Sequence, residues 1–139
     1  NDFTIQVDPT NTYGADGSDF NIDVTGDSND FTLNVGTSAL AATLDLDWII
    51  NGSNNTFDFD INYDGGTSYV DVDGDSNNVT FDGSGYAGGY FYLDQTGSSR
   101  TFNIQQQSTL DNDWLKIIST GSSGTVCVIQ NDQGTGTSC

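Results

Sequence analysis

Asp71, Asp73, Asp75 and Asn77 stand at alternate positions of the segment DVDGDSNN. Alternating oxygen donors of this kind open a calcium loop, where they surround a hard divalent cation. No Glu follows at the distance where an EF-hand supplies its bidentate ligand, so that motif is excluded. The same residues also read as solvated carboxylates around the turn glycine Gly74, and both readings stand. Two further pairs, Asp45/Asp47 and Asp58/Asp60, have the residue types of a glycosidase acid and base. Each pair alternates with apolar residues, which puts both carboxylates on an outward face. Such a face offers neither the cleft nor the raised pKa that the chemistry needs. His is absent, which removes the usual neutral-pH base and the commonest zinc or copper ligand. No catalytic residue is assigned, the chain is not expected to be an enzyme, and no cofactor other than calcium is considered.

The wider composition bounds the partners. All 20 acidic residues are Asp; the only bases are Lys116 and Arg100, giving a net charge of −18. Phosphate binding needs a basic face, so nucleic acid is excluded as a partner. No apolar run approaches the ~18–20 residues of a membrane-spanning helix. The 17 Gly and 14 Asn, set against five Ala, are a poor helix-forming set and favour a β-rich protein. A chain that starts with Asn and lacks Met reads as a processed, secreted product with its signal segment removed. Cys127 and Cys139 fit a disulfide and an oxidising, extracellular compartment.

One unit recurs along the chain and must position all of these residues. It reads GDSNDFTLNV from Gly26, GSNNTFDFDI from Gly52, GDSNNVTFDG from Gly74, GSSRTFNIQQ from Gly97 and GSSGTVCVIQ from Gly121. The spacings are 26, 22, 23 and 24 residues, and a shortened relative starts at Gly17. The N-terminal NDFTIQV repeats NDFTLNV from Asn29 at five of seven positions. Between the units lie second alternating strands over Asp19–Thr25, Thr43–Asn51, Ser68–Asp73, Tyr90–Thr96 and Asp113–Thr120. A period of two marks half-buried strands. One such repeat has too little apolar surface to fold alone, whereas stacked copies bury a continuous core. The expected fold is therefore an all-β, two-column β-solenoid of about five and a half strand-turn-strand rungs, spanning roughly 26 Å. It forms a single domain over residues 1–139, with residues 131–139 as a C-terminal tail. An antiparallel sandwich is the competing architecture, but it does not require the same turn sequence before each strand.

The unit resembles the curlin repeat, the building block of curli-type bacterial amyloid fibres. The family pattern is Ser, five residues, Gln, four residues, Asn, five residues, Gln. LDQTGSSRTFNIQQQ matches it best and places Gln95 and Gln106 at the two Gln positions, with Arg100 in place of Asn. Other repeats keep the Asn position as Asn29, Asn55 and Asn77, while their Gln positions are mostly Val or Ile. The resemblance spans Gly26 to Gln130 and implies a secreted solenoid that assembles end to end. Asn29, Asn55, Asn77, Gln95 and Gln106 are the expected ladder residues, each amide bonding its equivalent on the next rung.

The ends carry the functional expectation. Asn1, Phe3, Ile5 and Val7 form one terminal strand, and Val126 and Val128 lie on the other; both are expected to be open edges for pairing with further copies. Cys127 should point out of the core; an intrachain bond to Cys139 would fold the tail over the last strand, and the alternative is an intermolecular link between subunits. Closing that ~12-residue loop would contribute roughly 3 kcal/mol on the chain-entropy model. The leading expectation is a secreted structural protein stacking head to tail into an extracellular curli-like filament. The alternative is a monomeric or virion-attached adhesin, in some versions calcium-dependent. Outward Tyr69, Tyr90, Tyr92 and Trp114 read first as ordinary cross-strand partners, and otherwise as a sugar-stacking adhesin surface or as packing between neighbouring protofilaments.

Overall fold

A computed structural model describes residues 1–7, 16–36, 41–110 and 113–130. Its strands are β1 (Asp2–Val7), β2 (Asp19–Thr25), β3 (Asp30–Val35), β4 (Ala41–Asn51) and β5 (Thr56–Asp73). They continue as β6 (Asn78–Ala87), β7 (Tyr90–Thr96), β8 (Arg100–Leu110), β9 (Trp114–Thr120) and β10 (Gly124–Gln130). No helix occurs among the described residues. The chain is an all-β solenoid. One column stacks β1, β3, the first part of β5, β6, β8 and β10; the other stacks β2, β4, the last part of β5, β7 and β9. Every pairing is parallel and in register with the repeat, as in Phe31↔Phe57 and Phe57↔Val79. The eleven strands of the sequence appear as ten, because β5 runs through its corner without a break. Gly65 and Gly66, at φ 76° and 143°, let the extended chain turn there.

Alternation becomes burial once the columns face each other. Leu33, Phe57, Phe59, Ile61 and Phe102 point inward from the first column, opposite Leu46, Trp48, Ile50, Val72 and Leu93 of the second. Trp48 meets Phe57 and Phe59 edge-on at 5.8 and 4.7 Å, while Phe3, Phe31 and Phe57 stack face to face up the first column. The turns repeat as strictly as the strands. In each, the glycine (Gly26, Gly52, Gly74, Gly97 or Gly121) is followed two residues later by a left-handed residue: Ser28, Asn54, Ser76, Ser99 or Ser123. A side chain on Gly74 would collide with the carbonyl of Gly52 in the turn beneath, so this position is closed to other residues. The tail at 131–139, with Cys139, and Asp8 to Ala15 with Pro9 lie outside the described residues.

Candidate functional site

The turn sequence places an Asn just before each of the first four first-column strands: Asn1, Asn29, Asn55 and Asn77. Asn1 donates its side-chain amide to Asn29 Oδ1 at 3.1 Å. Asn29 then donates both its backbone N–H (2.8 Å) and its amide (3.1 Å) to Asn55 Oδ1. Asn55 donates its backbone N–H to Asn77 Oδ1 at 2.9 Å. Asn29 and Asn77 also donate to turn carbonyls, those of Gly26 and Gly52. The bonds run in one direction from Asn1 to Asn77, but the last link uses the Asn55 backbone alone: the Asn55 amide nitrogen has no hydrogen-bond partner among the described residues, so the expected amide-to-amide ladder holds only from Asn1 to Asn55. Asn29, Asn55 and Asn77 are all buried.

The ladder changes character after Asn77. Arg100 fills the next position, buried, with its guanidinium donating to the Gly97 carbonyl and, at 2.5 Å, to Ser119 Oγ. Gly121 and Gly124 lie against it, and a side chain at either would press on the arginine. Gln106 accepts from Gln130 Nε2 at 3.2 Å and donates to the carbonyls of Gly89 and Trp114. The expectation of a bonded ladder at Gln95 does not hold among the described residues. Its register neighbours are Val72 and Ser119, and neither amide atom has a hydrogen-bond partner there.

A second ladder, not anticipated, runs along the turns. Asp27 Oδ1 accepts the N–H of Ser53, Ser53 Oγ that of Asp75, and Asp75 Oδ1 that of Ser98. Ser98 continues to Ser122 through their hydroxyls at 3.2 Å. An Asp or Ser directly after each repeat glycine (Asp27, Ser53, Asp75, Ser98 and Ser122) is its sequence signal. Tyr63 was also missed: buried, it donates its hydroxyl to Asp113 Oδ1 at 2.8 Å, fifty positions along the chain.

The carboxylates are distributed rather than gathered. Asp71 faces outward on β5 beside Asp94, Asp73 ends that strand, and Asp75 is engaged in the turn ladder. Among the described residues, no three carboxylates or cysteines are close enough together to hold a metal ion. Asp58 and Asp60 lie outward on β5 with Asp82 beside Asp60. Burial, then Asp60 and Asp58, push the Asp82 carboxyl above its usual range. Burial, then Asp94, Asp73 and Asp47, do the same to Asp71.

The two terminal strands lie in the same column. Among the described residues, the outer edges of β1 and β10 pair with no strand. Phe3, Val126 and Val128 occupy inward register positions yet are 49%, 45% and 39% exposed, whereas Phe57 and Phe102 between them are fully buried. At the β1 end, Asn1, Phe3, Ile5, Ile22, Val24 and Phe31 line an open groove of about 370 Å³. Val7 is half-buried there. The ends also differ in charge: β1 and β2 carry Asp2, Asp19 and Asp23, while β9 and β10 carry Lys116 and no carboxylate. No protein-family model, curated protein or solved structure matches the chain.

Proposed function

We propose that this chain is a secreted structural subunit whose copies stack head to tail, β10 of one on β1 of the next, into an extracellular curli-like filament. The observation that carries the reading is the matched exposure of the two ends. Extending the register by one step sets Val126 against Phe3, Val128 against Ile5 and Gly124 against Asn1 of the following copy. Apolar surface that is buried at every internal rung is then buried at the junction as well. Charge favours the same polarity. Joining two Asp-rich ends is repulsive, whereas the end carrying Lys116 has no carboxylate on β9 or β10 to oppose the other.

Six first-column strands then recur per copy, so the axial repeat becomes about 29 Å at ~4.8 Å per strand, rather than the 26 Å of an isolated stack. Among the described residues the second column has one strand fewer than the first, leaving a strand-sized slot at each junction. Val126→Asp combined with Val128→Asp tests the reading. Filaments should disappear while the circular dichroism of a folded β-protein persists; filaments that survive would overturn it.

A further inference from the structure

The corner hydrogen bonds stop short inside the chain and leave complementary groups at its two ends. Asn29 and Asn55 each donate a backbone N–H to Oδ1 of the Asn one rung on, at 2.8 and 2.9 Å. This relay ends at Asn77, because Arg100 takes the next position and a guanidinium accepts nothing. Gly124, in register with Arg100 on the last first-column strand, has no side chain to offer. Its N–H holds the register position of the Asn29 and Asn55 N–H groups, and so points along the axis out of the β10 end. The β1 end is the converse. Asn1 donates its amide to Asn29 Oδ1, and among the described residues its own Oδ1 accepts no hydrogen bond. Arg100 makes good the missing side chain from one rung away. Its guanidinium donates to the Gly97 carbonyl of its own turn and to Ser119 Oγ on β9, in the terminal rung. Glycines at 121 and 124 make the room: a Cβ at Gly121 would stand 2.8 Å from Nη1, and one at Gly124 3.0 Å from Cγ. Among the described residues no carboxylate pairs with this buried cation, and its Nε has no partner.

We propose that Asn1 and Arg100 are the pair that joins successive copies at this corner and sets their polarity. Asn1 Oδ1 of the following copy accepts from the Gly124 N–H, as Asn55 Oδ1 accepts from Asn29. It also accepts from the Arg100 guanidinium, which takes the part that the Asn29 amide plays toward Asn55. One oxygen again serves two donors, so the junction repeats an internal rung. The contact rests on head-to-tail stacking and supplies its polar part. It also rejects the wrong order. Two β1 ends set acceptor against acceptor, and two β10 ends set guanidinium against guanidinium, which is repulsive. Arg100 adds a second cation to the end that carries Lys116, while Asp2 follows Asn1 on the end it meets. Diffusing copies are therefore steered into the productive orientation before the apolar positions touch.

The test is a double-mutant cycle on the full chain, read as the concentration of soluble protein left in equilibrium with filaments. Asn1→Ala should raise that concentration about tenfold, the effect of leaving the Gly124 N–H unpaired. Arg100→Asn should raise it about fivefold, even though it gives the Asn77 N–H an acceptor within its own chain. The two together should match Asn1→Ala alone, since both act through the same oxygen. Within one copy three first-column strands separate the two residues, so coupling between them arises only across a junction. Circular dichroism checks that each variant folds, and Arg100→Gln replaces Arg100→Asn if the latter does not. Thr4→Ala, an exposed outward position on β1, should leave the concentration unchanged. Effects that multiply to about fiftyfold in the double variant, or that neither substitution produces, overturn the inference while the filaments themselves leave stacking intact. An unsubstituted chain that forms no filaments overturns both.

Discussion

Asn55 Oδ1 accepts two hydrogen bonds from Asn29, one from the backbone and one from the side chain, at a site buried from water. A single oxygen therefore satisfies two donors of the rung before it. The corner of each rung would otherwise leave a buried N–H without a partner, because the turn interrupts the strand ladder there. The stack is held in register by polar bonds at the corner as well as by apolar burial between the columns.

Asn55→Ala removes that oxygen: the Asn29 backbone N–H loses its partner, while the Asn29 amide keeps its bond to the Gly26 carbonyl. Stability should fall by about 1–3 kcal/mol, the cost of one orphaned buried donor. Denaturant unfolding measures it. Asn103→Ala, an exposed outward position on β8, should change stability by less than about 0.5 kcal/mol.

The left-handed turn residues store removable strain. Ser76 has φ 59° and Thr43, β-branched, has φ 56° opposite the glycine Gly65. Left-handed backbone costs an L-residue roughly 1–2 kcal/mol, which glycine avoids. Ser76→Gly and Thr43→Gly should each raise the melting temperature, Thr43→Gly by more. A fall in either would contradict the assigned turn geometry.

Stability should rise on acidification. The folded-state pKa values of Asp71 and Asp82 lie above the unfolded value, so the folded chain binds protons more tightly than the unfolded one. Their contribution is fully present below the ordinary Asp pKa of about 3.9 and is lost as pH rises through the raised values. Thermal melts from pH 7 down to about 4 should shift upward. Asp82→Asn should shrink that shift and stabilise the neutral-pH protein, since it removes repulsion with Asp60 and Asp58.

Strand identity was legible because alternation and turn chemistry agree. β2 and β7 occupy the spans expected of them, Asp19–Thr25 and Tyr90–Thr96. The Asn ladder was legible because its residue recurs at a fixed distance from the turn glycine. Gln95 was misread because a ladder needs like neighbours, and Val72 and Ser119 cannot supply them. The Tyr63–Asp113 bond was illegible because it depends on Gly83 and Gly89 leaving room for the ring, a condition set by packing between rungs. The continuous β5 was missed for a related reason: its Gly65–Gly66 corner reads as a break in sequence but stays paired to β4.

Electron microscopy of the purified chain, with layer-line analysis of any filaments, tests head-to-tail stacking most directly. Unbranched filaments with a ~4.8 Å strand spacing and an axial subunit repeat of about 29 Å are predicted. Dispersed particles at high concentration, or filaments whose subunit repeat is incompatible with six strands per copy in the first column, would contradict it.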